Sequence, residues 1–290
     1  MKSQVNNGYF NGLSCKAHIL LLLFWGYIGG AVAQPSPEIP LIYESDMVGI
    51  GSASVYDTYL SPLEYKGVNF GALYEQMEMT GWLSGRIVAQ QLLFFELSTT
   101  ENLTGTASNY AGNLEYSYGL YYRFKPVHRF RFFAGMQADA LLGFIYNSRN
   151  GNNPATAKVN LNLNLSGMAT YHFRIKRQPV QLRYQLNLPA IGSLFSPQFG
   201  QSYYEIGLGD GQPLFHLASF HNQRIINQLF SIELPLHSSI LRLAYVNRLY
   251  ETQINSLDTR TVSHSFYVGF SKNFYVVKGK ENKKNYRYVF

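Results

Sequence analysis

The chain has 290 residues, of which 14% are charged and 16% aromatic, with 23 tyrosines, 24 Lys and Arg against 17 Asp and Glu, and a net charge of +7. An ordinary soluble domain carries about a quarter charged residues, so this surface is not one built for water. Mean hydropathy is only −0.12, which excludes a bundle of membrane helices, each needing ~20 consecutive apolar residues; a membrane β-barrel fits both facts, because only alternate strand residues face lipid.

The chain opens with an apolar run from His18 to Ala33, preceded by Lys2 and Lys16 and ending in Ala31-Val32-Ala33. A basic start, an apolar core and an A-x-A ending describe a secretory signal, so residues 1–33 are expected to be removed before Gln34. The single cysteine, Cys15, leaves with it, and the remaining chain has neither a disulfide nor a thiolate nucleophile. That chain keeps 22 bases against 17 acids. Residues 34–46 are read as a Pro-rich periplasmic leader and 47–277 as one barrel domain.

Within 47–277 the organising signal is alternation. From Val159 to Ile175, Val159, Leu161, Leu163, Leu165, Ala169, Tyr171 and Phe173 share one parity, and Asn160, Asn162, Asn164, Ser166, Thr170 and His172 the other. Successive strand residues point to opposite faces, so this is a strand with one apolar and one hydrophilic side, ~55 Å long at about 3.3 Å per residue. Residues 111–125, 128–146 and 179–189 repeat the design. Further strands are predicted near 47–58, 65–79, 84–97, 202–209, 214–221, 225–235, 239–251 and 262–277. The fold class is therefore all-β, a transmembrane antiparallel up-and-down barrel of twelve strands, or of ten if 202–221 belongs to an external loop. Tight connections near 125–128 and 176–179 alternate with long ones at 98–110, 146–157 and 187–202, which places the tight turns and both chain ends in the periplasm. An outer-membrane barrel, exported and inserted in a Gram-negative bacterium, is the expected location.

The last strand is expected to close the barrel near Phe274 or Val277. Residues 278–290 hold Lys278, Lys280, Lys283, Lys284 and Arg287 against Glu281, too polar to face hydrocarbon. They read as a solvated periplasmic tail, and no nucleic-acid partner is inferred from them. The expected partners are outer-membrane lipid and, during biogenesis, the barrel-assembly machinery.

Pairing across the tight turns predicts the lumen. Arg123 is expected level with Arg131 near the periplasm, Glu115 with Asp139 further out, and His172 with Arg183. These six are the lumen-facing candidates, arranged with bases below and acids above. They suit either a selective pore or an ion-pair network that plugs a narrow barrel.

Ser219 and His221, two apart, would share a strand face as a nucleophile and its base do, with Glu205 as an orienting acid. No oxyanion motif accompanies them, and a turn with ordinary hydrogen bonds explains the same residues. His216 and His221 lie five apart, which suits no metal-binding face. Gly49-Ile50-Gly51 lacks the third glycine and the helix of a nucleotide loop. No cofactor is expected.

The segments SPQFGQSYYEIG (196–207), SFHNQR (219–224) and HSFYVGFSKNF (264–274) resemble those of a Bacteroidota-type family of outer-membrane β-barrels catalogued as a domain of unknown function. The resemblance implies location and no activity. The functional expectation is a narrow small-solute channel or a structural envelope protein. The alternatives are a lipid hydrolase or acyltransferase at Ser219 and His221, and a surface receptor or adhesin acting through loops 98–110 and 187–202.

Overall fold

A computed structural model describes residues 41–275 apart from 177, 210, 211, 237 and 238. The expected signal at 1–33 and the tail at 278–290 lie outside the described residues. Eleven strands and one short helix are present: β1 (Leu41–Asp57), β2 (Ser61–Met79), β3 (Ile87–Asn102), β4 (Ser108–Arg123), β5 (Phe130–Asn147), β6 (Ala155–Ile175), β7 (Gln178–Phe195), α1 (Tyr203–Leu208), β8 (Phe215–Ser219), β9 (Gln223–Pro235), β10 (Ile240–Ile254) and β11 (Leu257–Tyr275). No described helix is long and apolar enough to cross a membrane, which says nothing of strands.

Ten of the strands close on themselves. Each pairs antiparallel with its neighbour from β1 to β7, β7 pairs with β9, and β9, β10 and β11 lead back to β1. The closing ladder runs from Leu41 opposite Tyr275 to Asp57 opposite Thr259, so the ring leaves no open edge. β1 thus begins upstream of the expected residue 47.

Ten strands replace the twelve favoured by the sequence, and the ten-strand alternative is the one that fits. Residues 203–208 are helical rather than extended. Ser202 and Glu205 form a reciprocal capping box at the helix start, and Gly209, at φ 75°, ends it in the left-handed conformation. β8 is a strand but stands outside the ring, pairing only with the upper part of β7, Ile191–Phe195. Below it β7 turns to β9, over Gln181–Asn187.

The barrel is inverted relative to a soluble one. On β4, Leu114, Tyr116 and Tyr118 are exposed on the wall while Glu115, Ser117 and Tyr121 are buried in the lumen; on β6, Leu161, Leu163 and Leu165 are exposed and Asn160, Asn162 and Asn164 buried. Aromatic rings collect toward the two ends of the wall. Phe130 stacks with Phe132 and packs on Tyr171 at one end, and Tyr110 meets Tyr146 at the other. Between Phe132 and Phe144 of β5 the wall rises roughly 30 Å along the barrel axis, from about 3.3 Å per residue and a tilt of about 40°.

Two neighbouring lumen positions need glycine to seat one tyrosine ring. Tyr267 of β11 lies flat across Gly49 of β1 and Gly71 of β2, neighbours in the sheet. A Cβ on Gly49 would stand 2.6 Å from the ring, and one on Gly71 2.1 Å from its hydroxyl. The ring therefore lies along the wall instead of projecting into the lumen.

Candidate functional site

The lumen is packed in three storeys. The lowest lies at the end that holds Leu41 and Tyr275. There Glu75 accepts from Arg183 Nη2 and, at 2.5 Å, from Arg242 Nη1; Arg242 Nε lies 3.7 Å from Glu233, which also accepts from the Tyr43 hydroxyl at 2.5 Å. Glu75, Arg183, Glu233 and Arg242 are each 0–1% exposed. Gln90 donates to Glu75 and exchanges amide hydrogen bonds with Gln185 across the lumen, at 2.8 and 2.9 Å. Two acids face two bases, and their side chains with the paired glutamines fill the section.

The middle storey holds Arg248, which donates to Glu96 at 2.7 Å and to Glu115. Asp139 accepts from Asn164 at 2.5 Å and from Asn162 at 3.3 Å. These groups border an internal cavity of about 50 Å³. In the upper storey Lys158 bridges Asp57 at 2.6 Å and the Thr259 hydroxyl at 3.0 Å, and Tyr250 donates to Asn160 at 3.2 Å.

The described residues of 196–222, which leave out 210 and 211, fold over this upper end. The Tyr59 hydroxyl donates to the Gln201 carbonyl at 2.8 Å, Ala157 N–H donates to the Tyr203 hydroxyl at 2.6 Å, and Asn255 donates to the carbonyls of Ser196 and Pro197. Burial, and then the neighbouring Tyr203, push the Tyr59 phenol up to about 12, so it stays a hydrogen-bond donor throughout the physiological range. The excursion is thus fastened to the β1–β2 turn, the start of β6 and the β10–β11 turn.

Of the lumen candidates, Glu115, Asp139 and Arg183 are buried inside, and Arg123, Arg131 and His172 are half-buried near the lower mouth. Their pairings differ from those expected. Arg123 faces Phe133, Asp139 faces Ser117, Glu115 faces Leu141 and Arg183 faces Thr170. The β4–β5 connection contains its own bridge, Val127 with Phe130, and the β6–β7 turn is centred one residue earlier, with Ile175 facing Gln178. Each shift is two residues in pairing, which preserves the inward face. The storey of Arg183 and Arg242, which lies inside this mouth, is charge-balanced because Glu75 and Glu233 answer its arginines. Sequence reasoning missed Glu75, Glu96, Glu233, Arg242 and Arg248. The available signal was their parity: each shares the face opposite wall-facing neighbours such as the half-buried Tyr74 and the exposed Phe95 and Leu243.

Ser219 and His221 do meet, with Ser219 Oγ 2.5 Å from His221 Nδ1. They belong to a tight turn, closed by Asn222 N–H donating to the Ser219 carbonyl at 3.1 Å. The Ser219 N–H is taken by Asn222 Oδ1 at 2.9 Å. Glu205 is turned to its own helix, accepting from Ser202 N–H at 2.7 Å and Ser202 Oγ at 3.0 Å. The contact is that of a turn. Replacing His221 by alanine is therefore expected to leave phospholipid turnover by the purified chain at the background rate; a measurable wild-type rate that falls in the variant would make the pair a catalytic one. No group of three or more His, Cys, Asp or Glu suited to a metal occurs among the described residues.

The chain belongs to the family described as Protein of unknown function (DUF3316), whose model matches residues 18–281. No curated protein matches it. Among solved structures it is similar to the transport unit of the autotransporter AIDA-I from Escherichia coli (8% identity, 90% of this chain and 98% of that one, TM-score 0.42). It is also similar to the translocator domain of the autotransporter NalP from Neisseria meningitidis (13%, 90% and 98%, 0.38) and to the outer membrane protease OmpT from Escherichia coli (10%, 84% and 100%, 0.41).

Proposed function

We propose that this chain is a non-conducting outer-membrane barrel: a structural envelope protein that spans the membrane and presents the folded 196–222 excursion at the cell surface. The observation that carries the reading is the lowest storey. Four charged side chains at 0–1% exposure leave no aqueous path between Glu75 and Arg242, and small barrels fill their interiors with side chains in this way. The apolar wall with aromatic rings toward both ends supports a membrane setting, since exposed rows such as Val48, Ile50, Phe70, Phe266, Val268 and Phe270 have no other solvent that suits them. In this reading residues 1–33 direct export and are cleaved, the barrel-assembly machinery inserts the chain, and both ends of the barrel sequence face the periplasm.

The test is single-channel recording of the refolded full chain in planar bilayers. Silence in sodium, potassium and calcium chloride is expected, with folding checked by heat-modifiable migration on gels. Reproducible conductance steps from the folded protein would replace the structural reading by the channel one.

A further inference from the structure

The outer wall carries amides where its neighbours are apolar. On β9 and β10 the residues opposite in parity to the buried Ser231, Glu233, Arg242 and Arg248 face outward. They pair rung by rung, Leu234 with Leu241, Phe230 with Tyr245, Gln228 with Asn247, Ile226 with Leu249 and Arg224 with Glu251. Gln228 and Asn247 stand four residues below the Arg224–Glu251 rung and six above the Leu234–Leu241 rung. That is roughly 10 and 15 Å along the barrel axis, at about 3.3 Å per residue and a tilt of about 40°. The apolar band of such a barrel is about 25 Å tall, so the two amides lie near its middle. Exposed positions on the walls of β1, β3 and β6 hold Ile50, Leu93, Phe95, Leu163 and Leu165 instead. Gln91 of β3 is also on the wall, but lies on the rung of Gln76 and Glu44, near the lower boundary.

The polar row continues from Asn247 to His264 of β11 and Ser52 of β1. Its groups hold one another in part. The Tyr184 hydroxyl donates to Gln228 Oε1 at 3.0 Å, and Gln228 Nε2 reaches Asn247 Oδ1 only at 3.5 Å, beyond the usual range. Asn247 Nδ2 and the Tyr245 hydroxyl approach His264 Nδ1 at 3.1 and 2.7 Å. An amide nitrogen can only donate, so Nδ1 is the acceptor and the neutral ring carries its proton on Nε2. His264 is exposed, and that proton meets no acceptor among the described residues.

The centre of a bilayer offers hydrocarbon alone, with no water or headgroup to satisfy such groups. Amides and imidazoles at that depth hydrogen-bond one membrane segment to another. The occupant that fits is a second copy of this chain. A half-turn about an axis along the membrane normal, between β9 and β10, sets each outward β9 residue against the β10 residue of its own rung, within about 3 Å in height. Gln228 of one copy then meets Asn247 of the other, Phe230 meets Tyr245, Ile226 meets Leu249, and Arg224 meets Glu251, each contact occurring twice as a two-fold interface requires. Amide meets amide, ring meets ring and base meets acid.

We propose that the β9–β10 wall is the interface of a homodimer, with Gln228 and Asn247 at its centre and His264 at its flank. The inference rests on the membrane setting given above and not on whether the barrel conducts.

The full chain is refolded into lipid vesicles, where insertion is checked by protease protection and heat-modifiable migration, and then transferred to density-matched micelles for sedimentation equilibrium. A reversible dimer is expected. Gln228→Leu and Asn247→Leu, which keep the wall apolar, should each shift the equilibrium about 10-fold toward monomer. Arg224→Glu should weaken the dimer, and adding Glu251→Arg should restore it. Protein that fails to insert would overturn the membrane reading and this inference with it, whereas inserted protein that sediments as a monomer at every loading overturns the dimer alone. A dimer that both leucine variants leave unchanged also overturns it, by placing the contact elsewhere on the wall. Native mass spectrometry of the same sample identifies any other occupant: a monomer with a lipid adduct, or with a different protein, that Asn247→Leu abolishes would assign the patch to that partner and overturn the proposal.

Discussion

Replacing Glu75 by alanine is expected to destabilise the folded barrel by about 3–5 kcal/mol, the range for breaking a buried ion pair from one side. Glu75 accepts from both Arg183 and Arg242, which are 1% and 0% exposed. Without it two guanidiniums stay in an enclosed section with only Glu233 to answer them, and Gln90 loses an acceptor. Glu75→Gln should cost nearly as much, because it keeps the shape and removes the charge. Replacing Glu75, Glu233, Arg183 and Arg242 together by leucine and methionine should cost far less, since no unpaired charge is left and only the Tyr43 and Gln90 donors lose an acceptor. Urea unfolding in lipid vesicles distinguishes these cases. A loss below about 1 kcal/mol for Glu75→Ala would mean that water already reaches the cluster, as it would at an exposed pair, and would contradict the plug.

That cluster also shows where sequence reading ends. The period-two alternation made the wall legible: the sorting of Leu161 from Asn162, or Tyr116 from Glu115, follows from strand geometry alone. The two-residue shifts around 124–129 and 176–177 escaped because they change partners without changing faces. The helix at 203–208 was written in Ser202, Glu205 and Gly209, but the aromatic and glycine positions of SYYEIG also read as alternation. Turn chemistry decided against a strand there. The contacts of Glu75 with Arg183 and Arg242 join residues 108 and 167 positions apart. Parity places each of them inside, but only closure of the ring puts them at one height. The Ser219–His221 contact, by contrast, is local, which is why spacing could suggest it without making it a site.

The same closure makes a gain of function the sharper test. Ten strands enclose more than the eight whose interior side chains just fill, so the lumen of this barrel depends on long Arg, Glu and Gln side chains to be solid. Replacing Glu75, Glu233, Arg183 and Arg242 all by alanine removes two acids and two bases at once and leaves no unpaired ion, while emptying the lowest storey. Adding Asp57→Ala and Lys158→Ala together removes the bridge at the upper end, again as a pair. The backbone ladder that closes the wall, from Leu41–Tyr275 to Asp57–Thr259, is untouched by these changes. The six-residue variant is expected to turn a silent barrel into one with discrete conductance steps in planar bilayers. Because Glu96, Glu115 and Asp139 outnumber Arg248 in the section that then becomes narrowest, the current should favour cations, with a reversal potential shifted accordingly in a salt gradient. A folded variant that stays silent would show that the middle storey, or the excursion at 196–222, closes the barrel without the lower cluster.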